Sequence, residues 1–184
     1  DTNVASGEAL VRQFLVGKRF FRDEFGIDNK IMWLPDVFGY SAAIPQLIKK
    51  SGMEYFMTTK ISWNEYNKFP YDTFKWRGID GTEVLSHFPP SCHATVNERE
   101  NWQTTYNSKL RPLYVIGGYK RYSQKDLGKD YLMSYGFGDG GGGPTIEMLE
   151  YGKRMSKGIQ GCPVVKQSSS LDFFRNLEKQ VEGN

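Results

Sequence analysis

Apolar side chains recur at helical spacing near the start of the chain. Four of them fall on one face of a helix: Leu10, Phe14, Phe21 and Phe25. Ser6 can cap this helix, because a serine hydroxyl accepts a hydrogen bond from an unpaired N–H of the first turn. Gly26 can end it in a left-handed conformation. The pattern predicts a helix between Ser6 and Gly26 that packs by its apolar face.

The same period predicts helices at residues 42–50, after Pro144, and after Ser169 or Ser170. We also expect a short helix at residues 98–109, within a weakly periodic region. Pro45 is tolerated because it falls in the first turn of its helix, where its missing N–H costs nothing. We expect a mobile loop after the helix at 98–109, because the following residues are polar and weakly periodic.

Short apolar runs rich in β-forming residues predict four strands, at residues 30–34, 55–59, 131–135 and 164–167. The order strand, helix, strand at the first two runs predicts a right-handed parallel crossover. A hairpin is predicted where residues 73–77 and 84–88 flank Asp80-Gly81, because Asp-Gly is a strong turn signal. The elements together predict an α/β fold in which the hairpin decorates a parallel sheet.

Two acidic side chains directly follow predicted strands. Asp36 lies in the turn after the first strand, and Asp139 follows the strand at 131–135. Parallel α/β folds build their active sites at the C-terminal ends of strands, so both acids are candidate catalytic groups. Spacing alone leaves another role open for Asp36, since an aspartate in such a turn equally well caps a helix or closes an Asx turn.

Asp139 stands in a glycine-rich run, with four consecutive glycines at 140–143. A glycine-rich loop before a helix can cradle a phosphate. This run has neither the Lys-Ser/Thr ending of a P-loop nor the spacing of a dinucleotide-binding fingerprint. Backbone that approaches a ligand or a neighbouring strand closely explains the glycines better.

Length and charge limit the function classes. A chain of 184 residues is long enough for one core, so we expect a single domain over residues 1–184. The 24 basic and 21 acidic residues give a net charge of +3 and are scattered, which argues against a nucleic-acid partner. No apolar run approaches the roughly 20 residues that span a bilayer, and the first residues given do not have the charged, apolar, small-residue pattern of a leader. We therefore expect a soluble, cytoplasmic protein with no membrane partner.

The cysteines and histidines do not form a recognisable metal motif. Cys92 and Cys162 are far apart, which fits two free thiols in a reducing compartment. His87 and His93 are six residues apart, which is not a zinc-ligand spacing. We expect both histidines to be hydrogen-bonded parts of the structure.

Two long motifs carry a family resemblance. They are WLPDVFGYSAAIPQL, at 33–47, and YGFGDGGGGPTIEML, at 135–149. Together with SGEALVRQF near the start and FPYDTFKWRGIDGTEVLSHF at 69–88, they resemble the glycoside hydrolase family 38 α-mannosidases, in particular the cytosolic and bacterial branch. The likeness runs from Ser6 to about Phe174 and covers only part of a family member. It implies part of a seven-stranded parallel β/α barrel with a β-hairpin insertion, and it makes residues 91–130 a loop insertion.

The resemblance also implies roles for named residues. It makes Asp36 the catalytic nucleophile and a zinc ligand. It makes Asp139 the candidate general acid, an assignment that stays open because other branches carry two adjacent acids where this chain has Asp139-Gly140. Position, rather than the resemblance, singles out Lys60 and Trp63, because the end of the second strand would lie beside the Asp36 turn if the two strands are neighbours. They are candidates for binding a sugar hydroxyl or ring face, or else a surface lysine and a packed tryptophan.

Zinc in this family is completed by a His-x-Asp motif on the first barrel strand and by a later histidine, and neither occurs in this chain. The resemblance thus implies a zinc-dependent enzyme, with cobalt as an alternative metal, and an incomplete metal site here. We expect this chain alone to have negligible activity and weak or no zinc affinity. An open partial barrel exposes sheet edges, so we also expect it to associate with itself.

The implied function is that of a retaining α-mannosidase acting on mannose-containing oligosaccharides through two carboxyl groups. Two other classes are weighed against it. One is a non-catalytic carbohydrate-binding or scaffold α/β domain, in which the two acids are only caps. The other is a nucleotide-binding α/β domain, which the glycine run alone would support.

Overall fold

The computed structural model describes residues 1–62, 64, 66–91 and 104–182. The chain divides into two compact units. The first contains residues 1–61 and 73–87, and the second contains residues 62–72 and 88–184. The described residues form a mixed α/β fold, with one four-stranded sheet and five α-helices.

The sheet belongs to the first unit. Its strands are β1 (Ile31–Trp33), β2 (Tyr55–Met57), β3 (Thr73–Arg77) and β4 (Glu83–His87), in the spatial order β1-β2-β4-β3. β2 runs parallel to both β1 and β4, whereas β3 is antiparallel to β4 at the edge. All three residues of β2 are buried, as its continuous apolar sequence requires of a central parallel strand. The predicted parallel pairing of the first two strands is confirmed.

Helix α2 (Ile44–Lys50) connects β1 to β2. Pro45 lies in its first turn, as predicted, and Ile44 and Ile48 are completely buried. The helix therefore contributes to the core of the first unit by one apolar stripe.

The predicted hairpin is confirmed, but its place in the fold differs from the expectation. β3 and β4 pair around Asp80-Gly81, where Gly81 has φ 85°. β4 also pairs with β2, so the hairpin supplies a strand to the parallel sheet and does not merely decorate it. The buried run from Val84 to His87 explains this, because a strand in the middle of a sheet is covered on both faces.

Helix α1 (Gly7–Phe25) begins and ends where the sequence predicts. The hydroxyl of Ser6 accepts a hydrogen bond from Ala9 N at 3.2 Å, and Gly26 takes the left-handed conformation with φ 67°. No residue of the helix is buried, and Phe25 is 61% exposed. The predicted apolar face is packed only in part, because Leu10 and Phe14 are half-buried whereas Phe21 and Phe25 are exposed.

The second unit contains α3 (Pro112–Arg121), α4 (Ile146–Met155) and α5 (Ser170–Glu182). Its apolar core joins four buried side chains: Leu110, Val115, Met148 and Met155. The helices predicted after Pro144 and after Ser169 are confirmed as α4 and α5. Thr145 caps α4 by accepting a hydrogen bond from Met148 N at 3.2 Å.

Four secondary-structure predictions in the second unit are wrong for the residues that the structure describes. Residues 131–135 and 164–167 form no strand, apart from one bridge between Tyr135 and Ser108. Residues 104–109 are not helical, while the rest of the helix predicted at 98–109 lies outside the described residues. Helix α3 stands where a loop was expected.

A tertiary contact accounts for part of this difference. The Tyr131 hydroxyl donates a hydrogen bond to Val115 O at 2.7 Å, and a Cβ on Gly118 would lie 2.8 Å from the Tyr131 ring. The tyrosine thus packs against the backbone of α3 at a glycine. Tertiary packing of this kind overrides a local preference for strand.

Candidate active site

Hydrogen bonds connect the turn after β1 to the end of β2 and the residues that follow it. Leu34 N donates to Met57 O at 3.0 Å, and the Thr59 hydroxyl donates to Pro35 O at 2.6 Å. Parallel neighbours end at the same edge of a sheet, so these bonds hold the residues that follow the two strands together. Asp36 and Lys60 meet at this edge.

Asp36 and Lys60 form an ion pair, with Lys60 Nζ 2.8 Å from Asp36 Oδ1. The side chain of Lys60 is only 4% exposed, whereas that of Asp36 is 45% exposed. The Lys60 ammonium also lies 4.9 Å from the ring centroid of Phe38. A buried ammonium requires a compensating anion, and the aromatic face adds favourable electrostatics. The pair therefore holds an accessible carboxylate on a buried cation.

Asp36 does not cap the helix that follows it. The N-cap residue of α2 is Ala43, and no side chain caps that helix. Likewise Asp139 is not the cap of α4, because Thr145 fills that position. The helix-cap alternative for the two acids is thus excluded for the helices that follow them.

Tyr40 and Thr58 support the same turn, and the sequence analysis did not single them out. The Tyr40 hydroxyl donates to Leu34 O at 2.8 Å and is hydrogen-bonded to the Thr58 hydroxyl. Burial raises the pKa of Tyr40 to about 12, and the negative charge of Asp36 acts in the same direction. Tyr40 is therefore neutral at physiological pH and serves as a hydrogen-bond donor. The available signal was its position inside the WLPDVFGYS motif.

His87, at the end of β4, is a structural residue, as predicted. It is completely buried, and its Nδ1 lies 2.9 Å from the Thr73 hydroxyl. Burial lowers the pKa of His87 from 6.5 to about 3, so the imidazole is neutral. His93 and Cys92 lie outside the described residues, and Cys162 is a free thiol.

Asp139 lies in an exposed turn of the second unit. Its φ is 58°, and no other non-glycine residue in the described ranges has a positive φ. The Tyr106 hydroxyl donates to its Oδ1 at 2.5 Å, and Asn107 Nδ2 lies 3.4 Å from its Oδ2. Each carboxylate oxygen thus faces a neutral donor.

The glycine run folds back on itself around this turn. Phe137 N donates to Gly143 O at 2.9 Å. Gly136 has φ 123°, and a Cβ there would lie 2.9 Å from the backbone of Gly143 and Pro144. Glycine is required at this position by backbone conformation and by space. The sequence predicted that the backbone of this run approaches a ligand or a neighbouring strand closely. At Gly136 the backbone instead closely approaches another part of the same loop.

The structure locates three of the four predicted site residues. Asp36 and Lys60 meet in the first unit, and Asp139 lies in the second unit. Trp63 lies outside the described residues. The convergence of Asp36 and Asp139 on one pocket stays a prediction.

The donor atoms of the described residues do not form a zinc site. The described part of the chain has no group of three or more His, Cys, Asp or Glu side chains that could hold a metal ion. Asp36 is moreover paired with an ammonium group. These residues do not by themselves fit a tetrahedral zinc site, which needs three or four protein ligands.

Comparison with known proteins defines the class to which this fold and these motifs belong. The N-terminal domain of the glycosyl hydrolases family 38 matches residues 1–184. The chain therefore belongs to glycosyl hydrolase family 38.

Three relatives illustrate the similarity. The chain is 44% identical to alpha-mannosidase G of Dictyostelium discoideum, over 97% of this chain and 15% of the relative. It is 46% identical to an alpha-mannosidase of Saccharomyces cerevisiae, over 84% of this chain and 13% of the relative. It is 43% identical to human alpha-mannosidase 2C1, over 99% of this chain and 16% of the relative. The chain thus spans about one sixth or less of the length of these relatives.

No helix in the described ranges is both long enough and apolar enough to cross a bilayer.

Proposed function

We propose that this chain is part of the catalytic domain of a longer, cytosolic retaining α-mannosidase. The enzyme hydrolyses terminal α-D-mannosides in mannose-containing oligosaccharides. Family membership and the similarity to named α-mannosidases support the substrate class. The remaining barrel strands of the seven-stranded fold come from the rest of the polypeptide.

Asp36 is the nucleophile in this proposal. The observation that carries it is the accessible carboxylate of Asp36, which follows a parallel strand and is held by the buried Lys60 at 2.8 Å. A nucleophilic carboxylate must be ionised and correctly oriented, and a fixed ammonium favours both. The contact with Asp36 gives Lys60 a role in positioning the nucleophile, beside the predicted contact with a sugar hydroxyl. Trp63 remains the candidate for packing on a sugar ring.

The chemistry follows the double-displacement route. Asp36 attacks the anomeric carbon while Asp139 donates a proton to the leaving oxygen, so that the glycosidic bond breaks and a mannosyl–Asp36 ester forms. Water then attacks the same carbon, Asp139 takes a proton from that water, and Asp36 is released. This route requires the two carboxyl groups to lie about 5–5.5 Å apart in the complete enzyme.

Zinc enters the proposal only through Asp36. In the complete enzyme, Asp36 would supply one ligand and other segments of the polypeptide would supply the rest. The metal would hold adjacent sugar hydroxyls. This chain alone is then inactive, because one protein ligand does not hold zinc.

The test is Asp36→Asn in the full-length enzyme, with Asp23→Asn as a control at an exposed aspartate of α1. We expect the first variant to lose turnover of an aryl α-mannoside by several orders of magnitude and the control to keep it. A fluorinated mannosyl fluoride, which traps the glycosyl–enzyme, should label Asp36 in mass spectrometry.

Turnover by Asp36→Asn near that of the parent would contradict the nucleophile assignment. Unchanged binding of a mannose oligosaccharide, with no hydrolysis by either protein, would instead favour the carbohydrate-binding scaffold.

A further inference from the structure

The turn at residues 104–108 carries two side chains that reach Asp139. The Tyr106 hydroxyl donates to Oδ1 at 2.5 Å, which is short for a hydrogen bond between oxygen atoms. Asn107 Nδ2 lies 3.4 Å from Oδ2, which makes it the weaker donor. Neither residue is part of the motifs that identify the family.

This turn is internally braced. Thr105 N donates to the Ser108 hydroxyl at 2.7 Å, and that hydroxyl donates to Thr105 O at 2.8 Å. Ser108 is buried. Tyr106 therefore stands on a short loop whose ends are held by a reciprocal pair of hydrogen bonds.

The same turn is attached to the backbone immediately before Asp139. Ser108 N donates to Ser134 O at 3.2 Å, and Gly136 N donates to Ser108 O at 2.9 Å. The attachment point lies only a few residues from both partners of the Tyr106–Asp139 contact. These backbone hydrogen bonds therefore fix the Tyr106 hydroxyl relative to the Asp139 carboxylate.

Thr104 anchors the start of the turn. It is buried, its hydroxyl donates to Pro90 O, and it accepts a hydrogen bond from Arg121 Nη2 at 2.7 Å. Arg121 closes helix α3, so the turn is also fixed to a regular element.

Asp139 needs such support because its backbone is in an unfavourable region. A non-glycine residue with φ 58° costs free energy and persists only where the surroundings hold it. Gly138 lets the two segments approach, since a Cβ there would lie 3.1 Å from Asn107 Cβ. The turn at 104–108 thus packs directly against the strained residue.

The geometry points to Tyr106 as a positioning residue for general acid–base catalysis, with Asn107 as a secondary donor. The inference rests on the proposed function, in which Asp139 carries the proton. Tyr106 donates the short hydrogen bond to Oδ1, whereas Asn107 lies 3.4 Å from Oδ2. The transferable proton is therefore carried by Oδ2, the less strongly bonded oxygen, and Tyr106 keeps its own proton throughout. The hydroxyl orients the carboxyl group in both steps and stabilises its ionised form after protonation of the leaving oxygen.

The test compares Tyr106→Phe with Asp139→Asn in the full-length enzyme, using two α-mannosides. One has a dinitrophenyl leaving group, which departs without protonation, and the other is an alkyl mannoside, which needs an acid. Tyr119→Phe is the control, because Tyr119 is an exposed tyrosine of α3 whose ring meets Lys125. The Tyr119→Phe substitution also removes a phenolic hydroxyl from the second unit.

For Tyr106→Phe we expect kcat on the alkyl mannoside to fall about tenfold, the size of one hydrogen bond to a charged group. The formation of the glycosyl–enzyme from the dinitrophenyl substrate should change little. The difference between the two leaving groups is the decisive readout, because a general loss of stability would lower activity on both substrates alike. Added to Asp139→Asn, the tyrosine change should cost nothing further.

Two results would overturn the inference and leave the proposed function intact. One is a leaving-group dependence in Asp139→Asn but none in Tyr106→Phe. The other is a further loss when the two changes are combined, because Tyr106 would then act elsewhere. If Asp139→Asn itself loses no more activity on the alkyl than on the dinitrophenyl mannoside, the acid assignment of Asp139 fails, and with it the role of Tyr106.

Discussion

Lys60 Nζ and Asp36 Oδ1 are 2.8 Å apart, with the lysine side chain almost completely enclosed and the aspartate side chain half exposed. The asymmetry suits the proposed roles of the two residues, because a nucleophile must be accessible while the group that orients it must be fixed. The Asp36 carboxylate is therefore accessible to solvent, whereas the Lys60 ammonium that holds it is almost inaccessible. Dissolved salt weakens the attraction within such a partly buried ion pair less than it weakens an exposed pair.

Replacing Lys60 should impair catalysis more than it alters substrate affinity. In the full-length enzyme, Lys60→Met removes the charge and keeps the length of the side chain. We expect kcat to fall about 10- to 100-fold, the cost of a lost hydrogen bond to a charged group. The measurement is steady-state kinetics on an aryl α-mannoside. Lys49→Met, at an exposed lysine near the end of α2, is the matched control. A raised KM with unchanged kcat would instead favour a direct contact with a sugar hydroxyl.

The stability of this chain should depend on pH through His87. Its pKa is lowered from 6.5 to about 3 by burial, so the unfolded state binds the proton more tightly. The contribution of the neutral His87 imidazole to the free energy of unfolding is then complete above pH 6.5 and is lost progressively as the pH falls towards 3. Urea unfolding of the chain at several pH values should show this decline. His87→Gln should be less stable at neutral pH but show a flatter dependence. An equal slope in both proteins would contradict this account.

The glycine loop offers a matched pair of substitutions. Gly136→Ala introduces a Cβ 2.9 Å from backbone atoms at φ 123°, whereas a Cβ on Gly143 would have no heavy atom within 4 Å. We expect the first change to lower the free energy of unfolding by at least about 1–2 kcal/mol and the second to have little effect. Denaturant titration of the two variants measures the difference. Equal stability of both would show that the loop does not take the described conformation.

The N-cap of α1 should stabilise the chain although the helix is exposed. Ser6→Ala removes the hydroxyl that accepts from Ala9 N, which should cost about 1 kcal/mol. Ser6→Asp restores an acceptor and should recover most of the loss. Circular dichroism during urea unfolding follows both. A loss that Ser6→Asp does not recover would place the effect elsewhere than in the cap.

This chain, expressed alone, should associate with itself and should not hydrolyse mannosides. β1 is an edge strand of the sheet, and an aromatic cluster of Phe20, Phe21 and Phe25 is partly exposed. Light scattering at high concentration should therefore report species larger than a monomer. Metal analysis after dialysis should find no stoichiometric zinc. A monodisperse monomer would contradict the first expectation, and turnover of an aryl α-mannoside would contradict the second.

The amino-acid sequence by itself determined the elements whose signals are local. A serine cap and a terminal glycine delimit α1, and Asp80-Gly81 specifies the β3–β4 hairpin, because both depend on backbone geometry within a few residues. The family-specific motifs likewise single out Asp36 and Asp139 without any knowledge of packing. Burial could not be predicted in the same way, since the apolar face of α1 looks like a core face and yet no residue of that helix is fully buried.

Tertiary structure alone decided which groups meet. Lys60 reaches Asp36 because two parallel strands end side by side, and Tyr106 reaches Asp139 because a turn 33 residues earlier is bonded to the backbone before it. It also decided that the run at 131–135 contacts α3 through Tyr131 and does not form a strand. Contacts between distant residues depend on the summed packing of whole elements, and no periodicity along the chain encodes them.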